Sequence, residues 1–254
     1  MSPLLPIDAH AHVDPSISSG DLDELHAVIF AMTRSVAEAE IALKRSDATT
    51  VWGVGAHPGL VSAQHGFTEE AFSILLDRSP LVGEVGLDGK SRVPLDRQCA
   101  VLSQILKLVQ ERRRIVSLHS YAATDRLLQV LERTPISGAV LHWWIGDEAQ
   151  TEKAVGLGCF FSVNIGMARH PEVLRKIPLE RLLTETDHPA GNKSSRLPRR
   201  PGMVTDVEAV IARLHSLEPQ EARLLIWRNL LTLTSQTDTW QLLPRTIRVR
   251  LGAL

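Results

Sequence analysis

Apolar and polar positions along the chain follow two alternating periods. Eight short runs are nearly continuous in apolar character, at 4–10, 27–32, 50–55, 81–86, 115–119, 138–142, 159–163 and 181–186. Runs of this length without strict alternation predict parallel strands covered on both faces. Between most of them, apolar residues recur at three- and four-residue spacing. The stretch 35–44 sets Val36, Ala39, Ala42 and Leu43 among charges, and 95–112 carries Val101, Leu102, Ile105, Leu106 and Val109. The stretch 69–76 follows Thr68, a residue suited to an N-cap. Further helices are expected at 123–133, 148–157 and 171–176, with two more at 205–217 and 219–231.

Strand–helix alternation predicts a parallel sheet. Eight repeats in 254 residues favour a closed α/β fold, the (β/α)8 TIM-barrel, over an open doubly wound sheet. One barrel domain is expected over residues 1–254. The first crossover, 15–26, has room for about one helical turn. The tail, 236–254, is open between a last strand, a docking arm carrying Arg245, Arg248 and Arg250, and a frayed end.

Composition adds little until the histidines. With 44% hydrophobic and 22% charged residues, the chain reads as an ordinary soluble protein. No apolar run approaches the ~20 residues that cross a bilayer. No basic leader precedes the first strand, so a cytoplasmic protein without a membrane partner is expected. Cys99 and Cys159 show no motif spacing and read as core residues, with a single disulfide as the other reading. A net charge of −1 argues against a protein held to nucleic acid by a global basic field. It leaves open an enzyme that draws a phosphate to bound metal ions.

The chain has ten histidines, and their placement carries chemistry. His10 and His12 close the first strand. Side chains two apart on a strand share a face, so the two imidazoles can grip one ion. Glu84, His119, His142 and Asp187 each close another apolar run. Ligands at several strand ends describe a barrel rim holding a metal. Taken singly, each histidine also reads as a satisfied core residue. Glu84 and Asp187, however, are costly to bury unpaired, and a cation removes that cost. The set points to metal-dependent hydrolysis. His57 closes the third run on the same rim, either as a substrate contact or as a turn residue before Pro58. His26, His65 and His215 fall in polar or helical stretches.

These residues sit in recognisable segments: Ile7-Asp8-Ala9-His10-Ala11-His12, Gly55-Ala56-His57-Pro58, Gly83-Glu84-Val85-Gly86-Leu87-Asp88, His119-Ser120, His142-Trp143, Glu185-Thr186-Asp187-His188-Pro189 and Asn229-Leu230. In order and spacing they resemble the TatD family of metal-dependent deoxyribonucleases, of the amidohydrolase-like barrel class. The resemblance implies two divalent ions, Zn, Mn, Mg or Ni. One would lie on His10, His12, Glu84 and Asp187. The other would share Glu84 and add His119 and His142. Such a pair clamps a phosphoryl group and activates water. The implied substrate is DNA, with Asp187 and Glu84 catalytic and His57 near the phosphate. TatD-like proteins also occur in anti-phage systems of the Qat type, which would add protein partners of a defence system.

Departures from the family pattern gather on the substrate rim. Gly89 and Lys90 stand where an aromatic residue is common, Tyr121 where Arg is common, and Trp143-Trp144-Ile145-Gly146 follow His142. Trp143 and Trp144 read either as core or as a surface that stacks on a base. Lys193, Arg196, Arg199 and Arg200 read either as a solvated loop or as a flap gripping phosphate. Two other functions stay open. One is hydrolysis of a small amide, ester or lactone at the same rim. The other is a scaffold subunit with vestigial catalysis.

Overall fold

The computed structural model describes residues 3–191 and 199–254, and sets eight strands in parallel in chain order. They are β1 (Ile7–His12), β2 (Val28–Met32), β3 (Thr50–Trp52), β4 (Leu81–Gly86), β5 (Ile115–His119), β6 (Ala139–Leu141), β7 (Phe160–Val163) and β8 (Leu182–Thr184). The strands β1–β3 form one ladder and β4–β8 a second. Backbone bonds tie the two together on both sides. Gly83 N–H donates to Val54 O at 2.9 Å, and Asp187 N–H donates to His10 O at 2.9 Å. His12 N–H adds a bond to His188 O at 2.8 Å. With helices in the crossovers, this is the expected TIM-barrel arrangement.

The apolar runs are strands because both faces are covered. Every residue of β2 and β4 is buried. Thr68 caps its helix as expected, its side chain accepting from Ala71 N–H at 3.3 Å. The first crossover holds only the short helix Ser19–Asp23. Cys99 and Cys159 are both buried and free.

Three expected strands end early. β3 stops at Trp52, β6 at Leu141 and β8 at Thr184. His57, His142 and Asp187 therefore sit beyond the ladders, not within them. At β6 and β8 the cause is local: Trp143 and Asp187 adopt left-handed backbone, at φ 43° and 45°, which turns the chain out of the sheet. The tail is also settled. The helix Pro219–Thr237 runs past residue 231, and the last segment is a further helix, Arg245–Leu251. Ile247 and Leu251, four apart, are buried against the body. The C-terminus is thus neither a strand nor a frayed end.

Two irregularities lie under the rim. The β1–β2 register shifts between Asp8 and Ala11, and the β4–β5 register between Val82 and Val85. Bulges re-aim side chains. His10 and Glu84 fall inside these interrupted stretches.

Candidate metal centre

Glu84 is the hub. Its Oε1 lies 2.5 Å from His119 Nδ1 and 2.9 Å from His142 Nε2. Its Oε2 lies 3.0 Å from His12 Nε2, 3.3 Å from His57 Nε2 and 3.8 Å from His10 Nε2. Asp187 Oδ1 is 3.6 Å from His10 Nε2. The six expected ligands are thus brought together, with His57 beside them.

Burial sets the electrostatics. His10 has no exposed surface, and Glu84, His142 and Asp187 are also buried. Burial holds the His10 imidazolium well below its ordinary pKa and lowers His142 too. Burial would raise Glu84, but its contacts with His119, His142 and His57 outweigh it and hold the carboxyl well below its usual range. Asp187, pressed by burial and by Glu84 and Asp8, is pushed up to about 8. A cation beside that carboxyl would offset both effects.

The donor set fits a divalent metal. His10 Nε2 is buried without a hydrogen-bond partner and faces two carboxylates. The donor atoms of His10, His12 and Asp187 lie within 4.8 Å of one another, as do those of His57, Glu84 and His119. Mixed imidazole and carboxylate donors suit Zn, Mn or Ni.

The supporting groups were mostly missed in the sequence. Ser117 Oγ lies 2.7 Å from His10 Nδ1, the bond that orients the ring. Its signal was a lone polar residue on β5, two before His119 and so on the same face. Asp8 accepts from Thr186 N–H at 2.8 Å, Thr186 Oγ1 at 2.6 Å and Gly202 N–H at 2.7 Å. It thereby fastens the turn that carries Asp187 to β1. Gly86 is required, because a Cβ there would meet His119 O at 2.2 Å. His57 Nδ1 accepts from Gly59 N–H at 2.9 Å, so the ring proton sits on Nε2, facing Glu84. Asn229 ties a late helix to the start of β8, donating to Leu179 O at 2.6 Å and Leu182 O at 2.8 Å.

A cavity of about 340 Å³ opens over the hub. Beyond the ligands and His57, it is walled by Ser120, Tyr121, Trp143, Ile145 and Ala190. The two tryptophans divide. Trp144 is core, donating Nε1–H to Thr151 Oγ1 at 2.9 Å, whereas Trp143 lines the cavity. Arg199 is engaged by the Asp206 carboxylate, and neither it nor exposed Arg200 lines the cavity. Lys193 and Arg196 lie outside the described residues. No helix among the described residues is long and apolar enough to cross a membrane.

Comparison with known proteins places the chain in a family. Residues 7–235 match the family described as TatD related DNase. The uncharacterized metal-dependent hydrolase YjjV of Escherichia coli is 31% identical over 252 residues, covering 89% of this chain and 96% of the relative. Its crystal structure superposes with a TM-score of 0.78 at 29% identity, over 90% of this chain and 97% of that one. A protein named 3'-5' ssDNA/RNA exonuclease TatD, of Klebsiella pneumoniae, is 33% identical over 147 residues, 53% of this chain and 56% of the relative. The chain belongs to the TatD family and is a metal-dependent hydrolase.

Proposed function

We propose that the protein is a nuclease that hydrolyses phosphodiester bonds at DNA ends or in single strands, using two divalent ions. One observation carries this reading. The two oxygens of Glu84 face separate donor sets, Oε1 toward His119 and His142, Oε2 toward His12 and His10. A carboxylate so placed can serve both donor sets at once. His10, His12, Glu84 and Asp187 would hold one, and Glu84, His119 and His142 the other. Ions in such a pair supply positive charge to a phosphoryl group and acidify water. Relatives named as a ssDNA/RNA exonuclease and as a putative deoxyribonuclease support the choice of substrate.

The chain's own residues divide the work. Asp187 faces the cavity and takes the proton of the attacking water. His57 lines the cavity beside Glu84, near where a phosphoryl group would sit. Glu84 stays ionised and fixes the histidines around it. Trp143 offers an indole surface to the substrate.

The test is cleavage of end-labelled single- and double-stranded DNA with Mg or Mn, with and without chelator, beside a panel of esters, lactones and amides. Metal-dependent loss of label is expected on DNA. Turnover confined to the small esters or amides would instead make this a small-molecule hydrolase.

A further inference from the structure

Three bulky side chains on the cavity wall take no part in ligation. Tyr121 and Ile145 are 54% and 55% exposed, and Trp143 is half-buried. Resting on the nuclease reading above, we propose that these three form a subsite for one planar ring, the base of the unpaired nucleotide beside the scissile phosphate. Glu185 and Gly89 act as its positioning residues.

Each wall residue is held by a device that core packing does not require. Trp143 directly follows His142 and sits in left-handed backbone, at φ 43°. A bulky L residue adopts that conformation only when its surroundings impose it. Here the imposing group is Glu185, fully buried, whose Oε1 accepts Trp143 N–H at 2.9 Å. Glu185 is itself fixed by Asn164 Nδ2 at 3.1 Å and by the Ser162 hydroxyl. Tyr121 follows His119 by two residues and precedes Ala122, which is also left-handed, at φ 51°. Gly89 N–H donates to Tyr121 O at 2.8 Å, and a Cβ on Gly89 would lie 2.2 Å from Ala122 O. Only glycine lets that turn close against the β4 loop. Ile145 is carried to the rim by its neighbour Trp144, which is anchored in the core against Phe161.

Size and surface choose the ring. At about 340 Å³ the cavity lies at the low end of small-ligand pockets, ~300–1,000 Å³, a size suited to a single nucleotide. Aromatic walls bind any base through its π-face, which is tolerant of sequence. Trp143 and Tyr121 stand one and two residues from the ligands His142 and His119. Base and phosphate would therefore be seated together.

The experiment uses Mn-loaded enzyme and a single-stranded oligonucleotide, intact or with an abasic sugar at the cleaved position. KM is expected to rise about tenfold or more on loss of the base, with kcat little changed. Tyr121→Ala should raise KM on the intact strand by a similar factor. The two changes should be non-additive, because each removes the same contact. Glu185→Leu should raise KM likewise, and Glu185→Gln, which keeps an oxygen for Trp143 N–H, should restore it. Mn content measured on each variant separates this from damage to His142. Quenching of indole fluorescence by a nucleoside monophosphate gives a readout independent of turnover. Equal cleavage of intact and abasic strands, or additive effects with Tyr121→Ala, would overturn the subsite. Cleavage of neither strand would instead remove the nuclease reading, and the subsite with it.

Discussion

Removing one hydroxyl far from any substrate should weaken one ion and spare the other. In Ser117→Ala, His10 loses the partner 2.7 Å from its Nδ1, in a place with no solvent to replace it. The ring then has two options. It can keep its proton on Nδ1 and leave a buried donor unpaired, at about 1–3 kcal/mol. Or it can move the proton to Nε2, the atom that faces Asp187 and Glu84, and lose its lone pair for ligation. Either way, losing the hydrogen bond behind a ligating ring lowers metal affinity about 10- to 100-fold, or ~1.4–2.7 kcal/mol. The metal-free protein should lose roughly 1–2 kcal/mol, a fall in Tm of about 2–8 °C for a chain of this length. The assay is calorimetric titration of Mn or Zn into chelator-stripped protein, with thermal unfolding of the stripped form alongside. Weakening is expected only in the ion on His10, His12 and Asp187. An unchanged titration would show that Ser117 does not orient the ring. Equal weakening of both ions would refute the separation of the two donor sets across Glu84.

Glu84→Ala should weaken both ions, whereas His119→Ala should spare the one on His10 and His12; elemental analysis after dialysis distinguishes these outcomes. Asp47 gives a pH signature remote from the centre. Burial would raise its carboxyl, but hydrogen bonds from Arg45, Trp52 and Ser19 outweigh it and hold the pKa below 3.8. Its stabilisation is therefore complete above the unfolded value and is lost as pH falls through the lower folded one. Asp47→Asn should cost about 1.5–3 kcal/mol at pH 7. That gap should narrow in urea melts taken below pH 4, and a gap that widened there would contradict the sign. Burial pushes the Cys159 thiol up to about 12, so a thiol reagent at pH 8 should label it only after unfolding. Labelling of Cys159 in the native protein would be the contrary result.

The strands were legible because continuous apolar runs have few alternatives, and β4 and β5 lie where the runs 81–86 and 115–119 placed them. The ligands were legible as a set because polar residues at the ends of buried strands need a reason to be there. The exact strand ends were not, because they depend on left-handed turns at Trp143 and Asp187, for which bulky and acidic residues give no local signal. The C-terminal helix was hidden for another reason: its buried stripe of Ile247 and Leu251 is short, and the arginines between them read equally well as a free arm.

What the sequence hid most fully is how the centre is held. Alternation on a strand sends every second residue inward, so β1 delivers Asp8, His10 and His12 to one face, and β5 delivers Ser117 and His119. The ligands and their supports are thus the same periodic pattern read at different depths. The outer residue meets the cavity and the deeper one holds it. Pairing a ligand with its support needs the register between strands, which no single run contains. Ser117 reaches His10 across the barrel interior, 107 residues away in the chain, and Asp8 reaches Thr186 across 178. Bulges in β1 and β4 then aim His10 and Glu84 at a common point. It follows that the metal centre should be sensitive to closure of the barrel. A change that loosens the β8–β1 seam at Asp8 disturbs Asp187 and His10 together, although the Asp8 carboxylate itself is bonded to Thr186, Gly202 and the His10 backbone.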